Sequence, residues 1–275
     1  MLQLLLVLAA LYLLATRCRH GHPGMKDLQG WSYAHRGLHG NDIPENSMAA
    51  FQAALDAGYG IELDIHLLKD GNLAVMHDSL LNRTTGQAGR IEDLTTEDLH
   101  KYHLQGTEQT IPEFMEVLTL FNGKAPLIVE LKPEDGNHAA LAQAACDMLK
   151  TYPGVFCMES FDPQCIAWLK KNRPDIIRGQ LAENFLHNPS DLPGLLRFAL
   201  SHYLCNFLGV PDFIAYKYAD RQSTPSCAIC RKLWQAQGVS WTLKTQAEYD
   251  TATAEGWLPI FEGFRPGIPD NRIPE

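Results

Sequence analysis

The chain has little positive charge, and it lacks the sequence patterns of several common protein classes. Its 275 residues contain 23 Lys and Arg against 32 Asp and Glu, and the formal net charge of −9 argues against a nucleic-acid-binding surface. No Gly-rich phosphate-binding loop follows the first apolar strand, which disfavours an open doubly wound sheet. An anionic ligand would therefore be held by a few local cations or by a metal ion, and not by the overall field.

The seven cysteines lie at irregular spacings, and only Cys227 and Cys230 form a close pair. No second Cys-x-x-Cys motif or His pair accompanies them, which disfavours a zinc or redox site. The pair is expected to lie on one helix. The odd number of cysteines favours a reducing compartment.

The N-terminal segment MLQLLLVLAALYLLA is an apolar run slightly shorter than the ~20 residues that span a bilayer comfortably. No Lys or Arg precedes it, whereas Arg17 and Arg19 follow it directly. This asymmetry predicts a single-pass membrane anchor over residues 1–16, a linker over residues 17–30 and a main domain on the cytoplasmic side. A cleaved signal peptide on an exported protein is the main alternative, and a buried core helix is the third.

Beyond residue 30, short apolar segments alternate with amphipathic helical segments. The predicted strands are SYAHR, GIELDIHLL, LIVELK, VFCMESF, IIRGQL, DFIAYKY, VSWTLK and WLPIFEGF. Helix starts are predicted at Ser47, at the Asp-Pro pair of DPQCIAWLKKNRP and at the first Thr of TQAEYDTATAEG. This order predicts one α/β domain over residues 31–275, a TIM (β/α)8 barrel, with an open doubly wound sheet as the alternative. The prolines of RPGIPDNRIPE argue against a regular last helix.

The segment YGIELDIHLLKDGNLAVMHD places acidic groups and a histidine in a strand that should be buried. Side chains of a strand alternate between its faces, so Glu62, Asp64 and His66 point the same way. In a barrel, this face is the interior or its open mouth. Two buried carboxylates repel each other unless a proton or a cation lies between them.

The segment LIVELK repeats the pattern, because Glu130 and Lys132 share one face of their strand. Glu130 is then a natural third carboxylate beside Glu62 and Asp64, and oxygen ligands suit a hard divalent cation. Lys132 would place positive charge beside the metal for an anionic substrate. The alternative is a structural network in which Glu62 pairs with Lys132 or Arg36.

Several motifs together resemble the glycerophosphodiester phosphodiesterase family. They are AHRG, PENSMAAFQAALDAG, IELDIHLLKDGNLAVMHDSLLNRTTGQAG, IPEFMEVL and VELK, with weaker landmarks in ESFDP and SWTLKT. The resemblance runs from His35 to Lys132. It implies a TIM barrel with a small insertion after the second strand, at about residues 78–112 of this sequence.

The resemblance also implies roles for eight residues. They are the catalytic histidines His35 and His77, the metal ligands Glu62, Asp64 and Glu130, the phosphate contacts Arg36 and Lys132, and Trp241, which would pack against the glycerol carbons. A plain core position is the alternative for Trp241. Two histidines that flank a phosphodiester can divide the work, since one can remove a proton while the other protonates the leaving oxygen.

The implied function is metal-dependent hydrolysis of glycerophosphodiesters to sn-glycerol 3-phosphate and an alcohol. The implied cofactor is one divalent cation, Mg²⁺ or Ca²⁺, with Mn²⁺ as a further option. One alternative is a lysophospholipase D-like or other lipid phosphodiesterase, with a lysolipid as its substrate. The alternative of another class is a catalytically inactive, membrane-tethered binding protein.

Three further residues carry smaller expectations. His66 is expected to support a ligand or to be a satisfied core histidine, Asn46 to orient His35 or Glu62, and Arg83 to anchor a loop. Many members of the family end the barrel with a Thr-Asp-x-Pro segment. In the corresponding segment, WLPIFEGFRP, Thr and Asp are missing, and Glu262 is the only acidic group nearby.

Overall fold

Eight parallel strands form a closed barrel in the computed structural model, which describes residues 1–187 and 192–267. The strands are β1 Tyr33–His35, β2 Gly60–Leu67, β3 Leu73–Val75, β4 Leu127–Leu131, β5 Phe156–Ser160, β6 Arg178–Ala182, β7 Phe213–Lys217, β8 Gln237–Leu243 and β9 Trp257–Phe261. All but β3 belong to the barrel, which runs in the order β1, β2, β4, β5, β6, β7, β8, β9 and back to β1. The pairing of β1 with both β2 and β9 closes the ring and rules out the open doubly wound sheet.

The helices lie mainly between successive barrel strands. They are α1 Leu2–Ala15, α2 Met25–Leu28, α3 Met48–Asp56, α4 Asn82–Thr85, α5 Phe114–Phe121, α6 His138–Leu149, α7 Pro163–Asn172, α8 Gly194–Ser201, α9 Asn206–Gly209, α10 Pro225–Ala228 and α11 Gln246–Ala254. Each predicted strand segment overlaps one barrel strand, so the TIM barrel predicted from the sequence is confirmed. No helix follows β9 as far as residue 267, and the end of RPGIPDNRIPE lies outside the described residues.

Side-chain hydrogen bonds fix the predicted helix starts. Ser47 Oγ accepts a hydrogen bond from the backbone N–H of Ala50 at 3.1 Å, which caps α3. Asp162 caps α7 by accepting from the Gln164 N–H at 2.8 Å, with Pro163 in the first turn. Such caps satisfy backbone donors that have no partner within the helix. The order of strand and helix along the chain is therefore set locally.

Strand alternation divides the core into an outer and an inner part. On β2, Ile61, Leu63 and Ile65 point outwards and pack in the outer core, beneath helices such as α3 and α5. The inner core fills the barrel with side chains that include Tyr33, Ile128, Cys157, Phe213 and Val239. The polar side chains on the inner face of β2 and β4 therefore lie between these apolar side chains and the carboxyl-terminal opening of the barrel.

Residues between β3 and α5 build a small structure beside the barrel. β3 pairs antiparallel with β2, and the chain then forms α4 and two 3-10 turns, Ile91–Asp93 and Thr96–Lys101. Leu81, Ile91 and Leu99 are buried in a separate apolar cluster of this segment. The segment thus places the residues that follow β3 over the barrel mouth.

The predicted membrane-spanning helix is not supported. Within residues 1–187 and 192–267, no helix combines the length and apolar content needed to cross a bilayer. The helix α1 has 14 residues and ends at Ala15, with Thr16 as its C-cap. A rise of 1.5 Å per residue makes it about 21 Å long, against about 30 Å for the hydrocarbon core. The cytoplasmic location and the cleaved-signal alternative stay predictions.

Cys227 and Cys230 lie on one helical segment, as their spacing predicts. Cys227 is in α10, which continues into the π-helical turn Ile229–Leu233 that contains Cys230. Both thiols are buried, and the described residues place no His, Asp or Glu with them in a cluster suited to a metal. The pair is part of the apolar core.

Candidate active site

A cavity of about 350 Å³ at the carboxyl end of the barrel collects the predicted site residues. Seven of the eight line it, and these are His35, Arg36, Glu62, His77, Glu130, Lys132 and Trp241. The eighth, Asp64, lies 3.3 Å from Lys132 Nζ and 3.6 Å from Arg36 Nε, measured to its carboxylate oxygens. A larger hollow of about 630 Å³ lies at the other end, around Asp212, Gln237 and Trp257, and holds none of the eight. TIM-barrel active sites occupy the carboxyl end.

Three carboxylates converge at the base of this cavity. Ligand atoms of Glu62, Asp64 and Glu130 all lie within 4.8 Å of one another, and all three residues are buried. The register explains the convergence, because Asp64 on β2 is paired directly with Glu130 on β4. An all-oxygen donor set of this kind suits a hard divalent cation. The residues present therefore fit the predicted cation site.

Two positively charged residues, Lys132 and Arg36, lie beside the carboxylates. Lys132 Nζ lies 2.8 Å from Glu130 Oε1 and 3.3 Å from Asp64 Oδ1. The backbone N–H of Arg36 donates a hydrogen bond to Glu62 Oε2 at 3.2 Å. In the structural network considered as an alternative, Glu62 would pair with Lys132 or Arg36. Lys132 pairs with the other two carboxylates, and Arg36 contacts Glu62 through its backbone N–H.

Burial and mutual repulsion separate the pKa values of the three carboxyls. Burial raises the pKa of Glu62 well above its ordinary value, and Asp64 and Glu130 raise it further. Burial also raises the pKa of Glu130, to about 7, although Lys132 opposes this change. The pKa of Asp64 is well below its ordinary value, because Lys132 and other cationic groups outweigh its desolvation. The metal-free site therefore holds protons that a bound cation would displace.

The turn after β1 places His35 and Arg36 at the mouth. Arg36 and Gly37 both have positive φ, at 55° and 81°, so the chain reverses sharply after His35. A Cβ at Gly37 would lie 2.8 Å from the Cβ of Ala50, so only glycine fits against α3. This close approach explains the glycine of the AHRG motif.

His35 is oriented by Glu262, which follows β9. Its Nδ1 lies 2.8 Å from Glu262 Oε2, and its Nε2 lies 3.9 Å from Glu62 Oε2 inside the cavity. Because an ionised carboxylate can only accept, Nδ1 carries the proton and Nε2 is free to accept one. This hydrogen bond with His35 lowers the pKa of Glu262 to about 2. Burial lowers the pKa of His35, so the neutral imidazole is favoured at neutral pH.

His77, which lines the same cavity, has a similar arrangement. Its Nδ1 lies 2.5 Å from Asp78 Oδ1, and Asp78 is held in turn by Arg83. Arg83 also donates to Glu45, which accepts from Arg36 at 2.8 Å. Burial lowers the pKa of His77 to about 4. The network therefore links this second histidine to the guanidinium of Arg36.

The residues with smaller expectations have clear partners. His66 Nδ1 lies 2.8 Å from Glu92 Oε1, and its Nε2 lies 3.2 Å from the His77 carbonyl oxygen. It is a buried core histidine in contact with the backbone of His77. Asn46 Nδ2 donates to Asp64 Oδ2 at 2.8 Å, and not to His35 or Glu62 as expected. His66 and Asn46 therefore contact the site residues His77 and Asp64, and do not themselves line the cavity.

Trp241 on β8 closes one wall of the cavity. Its ring meets Phe161 edge to face, with ring centroids 5.6 Å apart, and Phe161 meets Phe185 at 6.0 Å. The indole N–H is buried without a hydrogen-bond partner among the described residues. Trp241 is only partly buried, so it lines the cavity as well as packing against Phe161.

Two acidic residues of the site were given no role from the sequence. Glu262 was noted only as the acidic group nearest to the missing Thr-Asp pair, and Glu159 was not singled out. The residues His35, His39 and Glu262 also form a cluster whose atoms could hold a metal ion. We assign Glu262 to the orientation of His35, because the two atoms lie at hydrogen-bond distance. For Glu159, the detectable signal was an acidic residue inside the apolar strand VFCMESF.

The closed barrel, the paired histidines and the carboxylate cluster define an enzyme of the TIM-barrel phosphodiesterase class. Residues 35–214 match the model of the glycerophosphoryl diester phosphodiesterase family, so the chain belongs to this family. It is a glycerophosphodiester phosphodiesterase by this membership. The resemblance noted from the sequence is therefore confirmed.

Similar proteins include enzymes from bacteria and mammals. A glycerophosphodiester phosphodiesterase of Bacillus altitudinis is 35% identical over 168 residues, which cover 57% of this chain and 68% of that protein. Glycerophosphodiester phosphodiesterase 1 of Bos taurus is 29% identical over 259 residues, covering 77% and 71%.

Solved structures share the fold at lower identity. An Oleispira antarctica phosphodiesterase, in complex with the product sn-glycerol-3-phosphate, has a TM-score of 0.69 and 21% identity, and the match covers 87% of this chain and 94% of that one. A glycerophosphodiester phosphodiesterase of Thermotoga maritima has a TM-score of 0.64 and 22% identity, with 84% and 93% covered.

Proposed function

We propose that the chain hydrolyses glycerophosphodiesters to sn-glycerol 3-phosphate and an alcohol, using one divalent cation and the histidine pair. One observation carries the proposal: a single cavity brings together two histidines, each hydrogen-bonded to a carboxylate, and a cluster of three carboxylates. The Oleispira antarctica enzyme, whose structure contains sn-glycerol-3-phosphate, supports the choice of product class.

Glu62, Asp64 and Glu130 would hold the cation, because each turns a buried carboxyl towards the same point. When bound, a divalent cation polarises a phosphoryl oxygen and offsets the negative charge that develops there. Lys132 and Arg36 add positive charge from the chain itself at the same wall. These fixed charges stabilise the transition state without having to reorient during the reaction.

His35 and His77 would divide the proton transfers. Each ring has its Nδ1–H held by a carboxylate, by Glu262 and by Asp78, so each presents Nε2 to the cavity. A neutral Nε2 removes the proton from the attacking hydroxyl, and the opposite ring, when protonated, returns a proton to the leaving oxygen. The lowered pKa values of both rings favour the base form, so the ring that acts as the acid would first take up a proton from solvent.

Two routes fit this arrangement. In one, the glycerol 2-hydroxyl attacks phosphorus and forms a cyclic phosphate that water then opens. In the other, water attacks directly. Phosphorus NMR during turnover separates them, since only the first route produces a cyclic glycerophosphate.

The substrate test uses the full-length protein freed of metal by a chelator. A panel of glycerophosphodiesters and lysophospholipids is offered with Mg²⁺, Mn²⁺ or Ca²⁺ added singly, and His77→Ala serves as the inactive control. We expect sn-glycerol 3-phosphate from the glycerophosphodiesters only when a cation is present. Full turnover in excess chelator would refute metal dependence, and turnover of lysolipids alone would establish the lipid phosphodiesterase alternative.

A further inference from the structure

The strand β5 brings a fourth carboxyl, that of Glu159, into the barrel. Met158 packs in the outer core and Cys157 in the inner core, so strand alternation places Glu159 on the inner face. The residue is 1% exposed and lines the same cavity as Glu62 and Glu130. No role in the site has been assigned to it so far.

Strand register sets Glu159 in one row with two of the predicted ligands. Asp64 on β2 pairs with Glu130 on β4, and Glu130 pairs with Glu159 on β5. Neighbouring strands lie about 4.8 Å apart, so Glu159 borders the carboxylate cluster, although its oxygens are not among the ligand atoms that lie within 4.8 Å of one another. The row continues at Gly179, where an added Cβ would meet the ring of Phe213 at 2.0 Å, so an apolar ring closes that side.

Within the described residues, Glu159 has no partner in an ion pair. Lys132 lies against Glu130 and Asp64, and only its longer-range charge acts on Glu159, where it opposes the rise in pKa. The buried Glu159 Oε2 accepts no hydrogen bond from any described residue. Burial, with Glu130 and Asp64 nearby, raises the pKa of Glu159 well above its ordinary value. A buried carboxyl that lacks a partner is costly, so this one suits a bound cation.

We propose that Glu159 turns its carboxyl towards the bound cation as a fourth ligand and that it biases the site towards calcium over magnesium. This inference rests on the proposed cation site at Glu62, Asp64 and Glu130. Ca²⁺ takes about 6–8 oxygen ligands in flexible geometry, which several carboxyls can supply. Mg²⁺ usually keeps several waters and uses only about one or two carboxylates, so it gains little from a fourth.

The test measures cation binding directly, without any substrate. Full-length protein is stripped with chelator, and Ca²⁺ and Mg²⁺ are titrated separately by calorimetry into the wild type, Glu159→Gln and Glu159→Asp. Glu183→Gln is the matched control, because Glu183 lines the same cavity but lies 2.8 Å from Lys217. The melting temperature of each stripped protein is recorded in parallel.

We expect Glu159→Gln to weaken Ca²⁺ binding about 10- to 100-fold, the range typical of groups that support a metal centre, and to weaken Mg²⁺ binding much less. Glu159→Asp should lose less Ca²⁺ affinity than Glu159→Gln, since it keeps a carboxyl. The melting temperature of stripped Glu159→Gln should be close to that of the wild type, because an amide of the same shape leaves the packing of the row unchanged.

Unchanged Ca²⁺ affinity in Glu159→Gln would overturn the proposal, as would an equal loss in Glu183→Gln. A lower melting temperature with unchanged affinity would make Glu159 a purely structural residue. If the wild type itself binds neither ion, the proposed cation site fails together with this inference. Failure at Glu159 alone, with tight binding by the wild type, leaves the proposed function intact.

Discussion

Replacing Glu262 by glutamine removes the charge that orients His35 while keeping the size of the side chain. The wild-type contact is a 2.8 Å hydrogen bond from His35 Nδ1 to a carboxylate that is about a quarter exposed. Hydrogen bonds to charged groups contribute about 1.5–3 kcal/mol. Since 1.36 kcal/mol is a factor of ten, the variant Glu262→Gln should lose about 10- to 160-fold in kcat.

The physical reason is the tautomer of His35. The glutamine amide can turn its NH2 group towards Nδ1, which would move the proton to Nε2 and remove the base from the cavity. Steady-state kinetics at saturating cation should therefore show a fall in kcat with little change in KM. Nitrogen NMR of the imidazole should show mixed protonation of Nδ1 and Nε2.

Glu255→Gln is the matched control for this experiment. Glu255 also accepts charge-assisted hydrogen bonds, from Arg221 at 2.9 Å, but it lines the hollow at the other end of the barrel. Its replacement should leave kcat unchanged. Normal kcat in Glu262→Gln, with Nδ1 still fully protonated, would refute the orienting role of Glu262.

Three further results are expected. His77→Ala should lose about 10²–10⁴-fold in turnover with unchanged cation affinity, and a near-normal rate would reduce His77 to a loop residue. Because the pKa of Glu130 is about 7, cation affinity measured by calorimetry should rise at least about fivefold from pH 6 to pH 7, and a flat profile would contradict proton displacement. Gly37→Ala should destabilise the fold in chemical denaturation by at least about 1–3 kcal/mol. Gly71→Ala, with φ of 87° but nothing within 4 Å of its added Cβ, should cost less.

The N-terminal segment shows what a hydropathy pattern leaves open. Its apolar run was long enough to suggest an anchor, but Thr16 ends the helix, and Thr16 Oγ1 donates back to the Tyr12 carbonyl at 3.1 Å. Arg19 then pairs with Asp212, beside the start of β7. The chain just after the helix is thus held by a residue almost 200 positions away, and a hydropathy pattern contains no information on such a contact.

Local pattern determined which residues face the barrel interior. Period-two alternation placed Glu62 and Asp64 on the inner face of β2, and the same rule placed Glu130 on the inner face of β4, so the carboxylate cluster was predictable from short segments. The caps of Ser47 and Asp162 were predictable for the same reason, since each acts within three residues of itself. Sequence alone therefore predicted the fold class and the carboxylate triad.

Only the closed barrel decided which distant residues meet. Glu262 reaches His35 across 227 positions because β9 pairs with β1, and Glu159 joins the carboxylate row because β5 pairs with β4 in one register. A shift of register by one residue would turn each side chain to the other face. Strand alternation is a property of each segment by itself, whereas register and closure depend on how all eight strands pack around one core, and so they appear only in the tertiary structure.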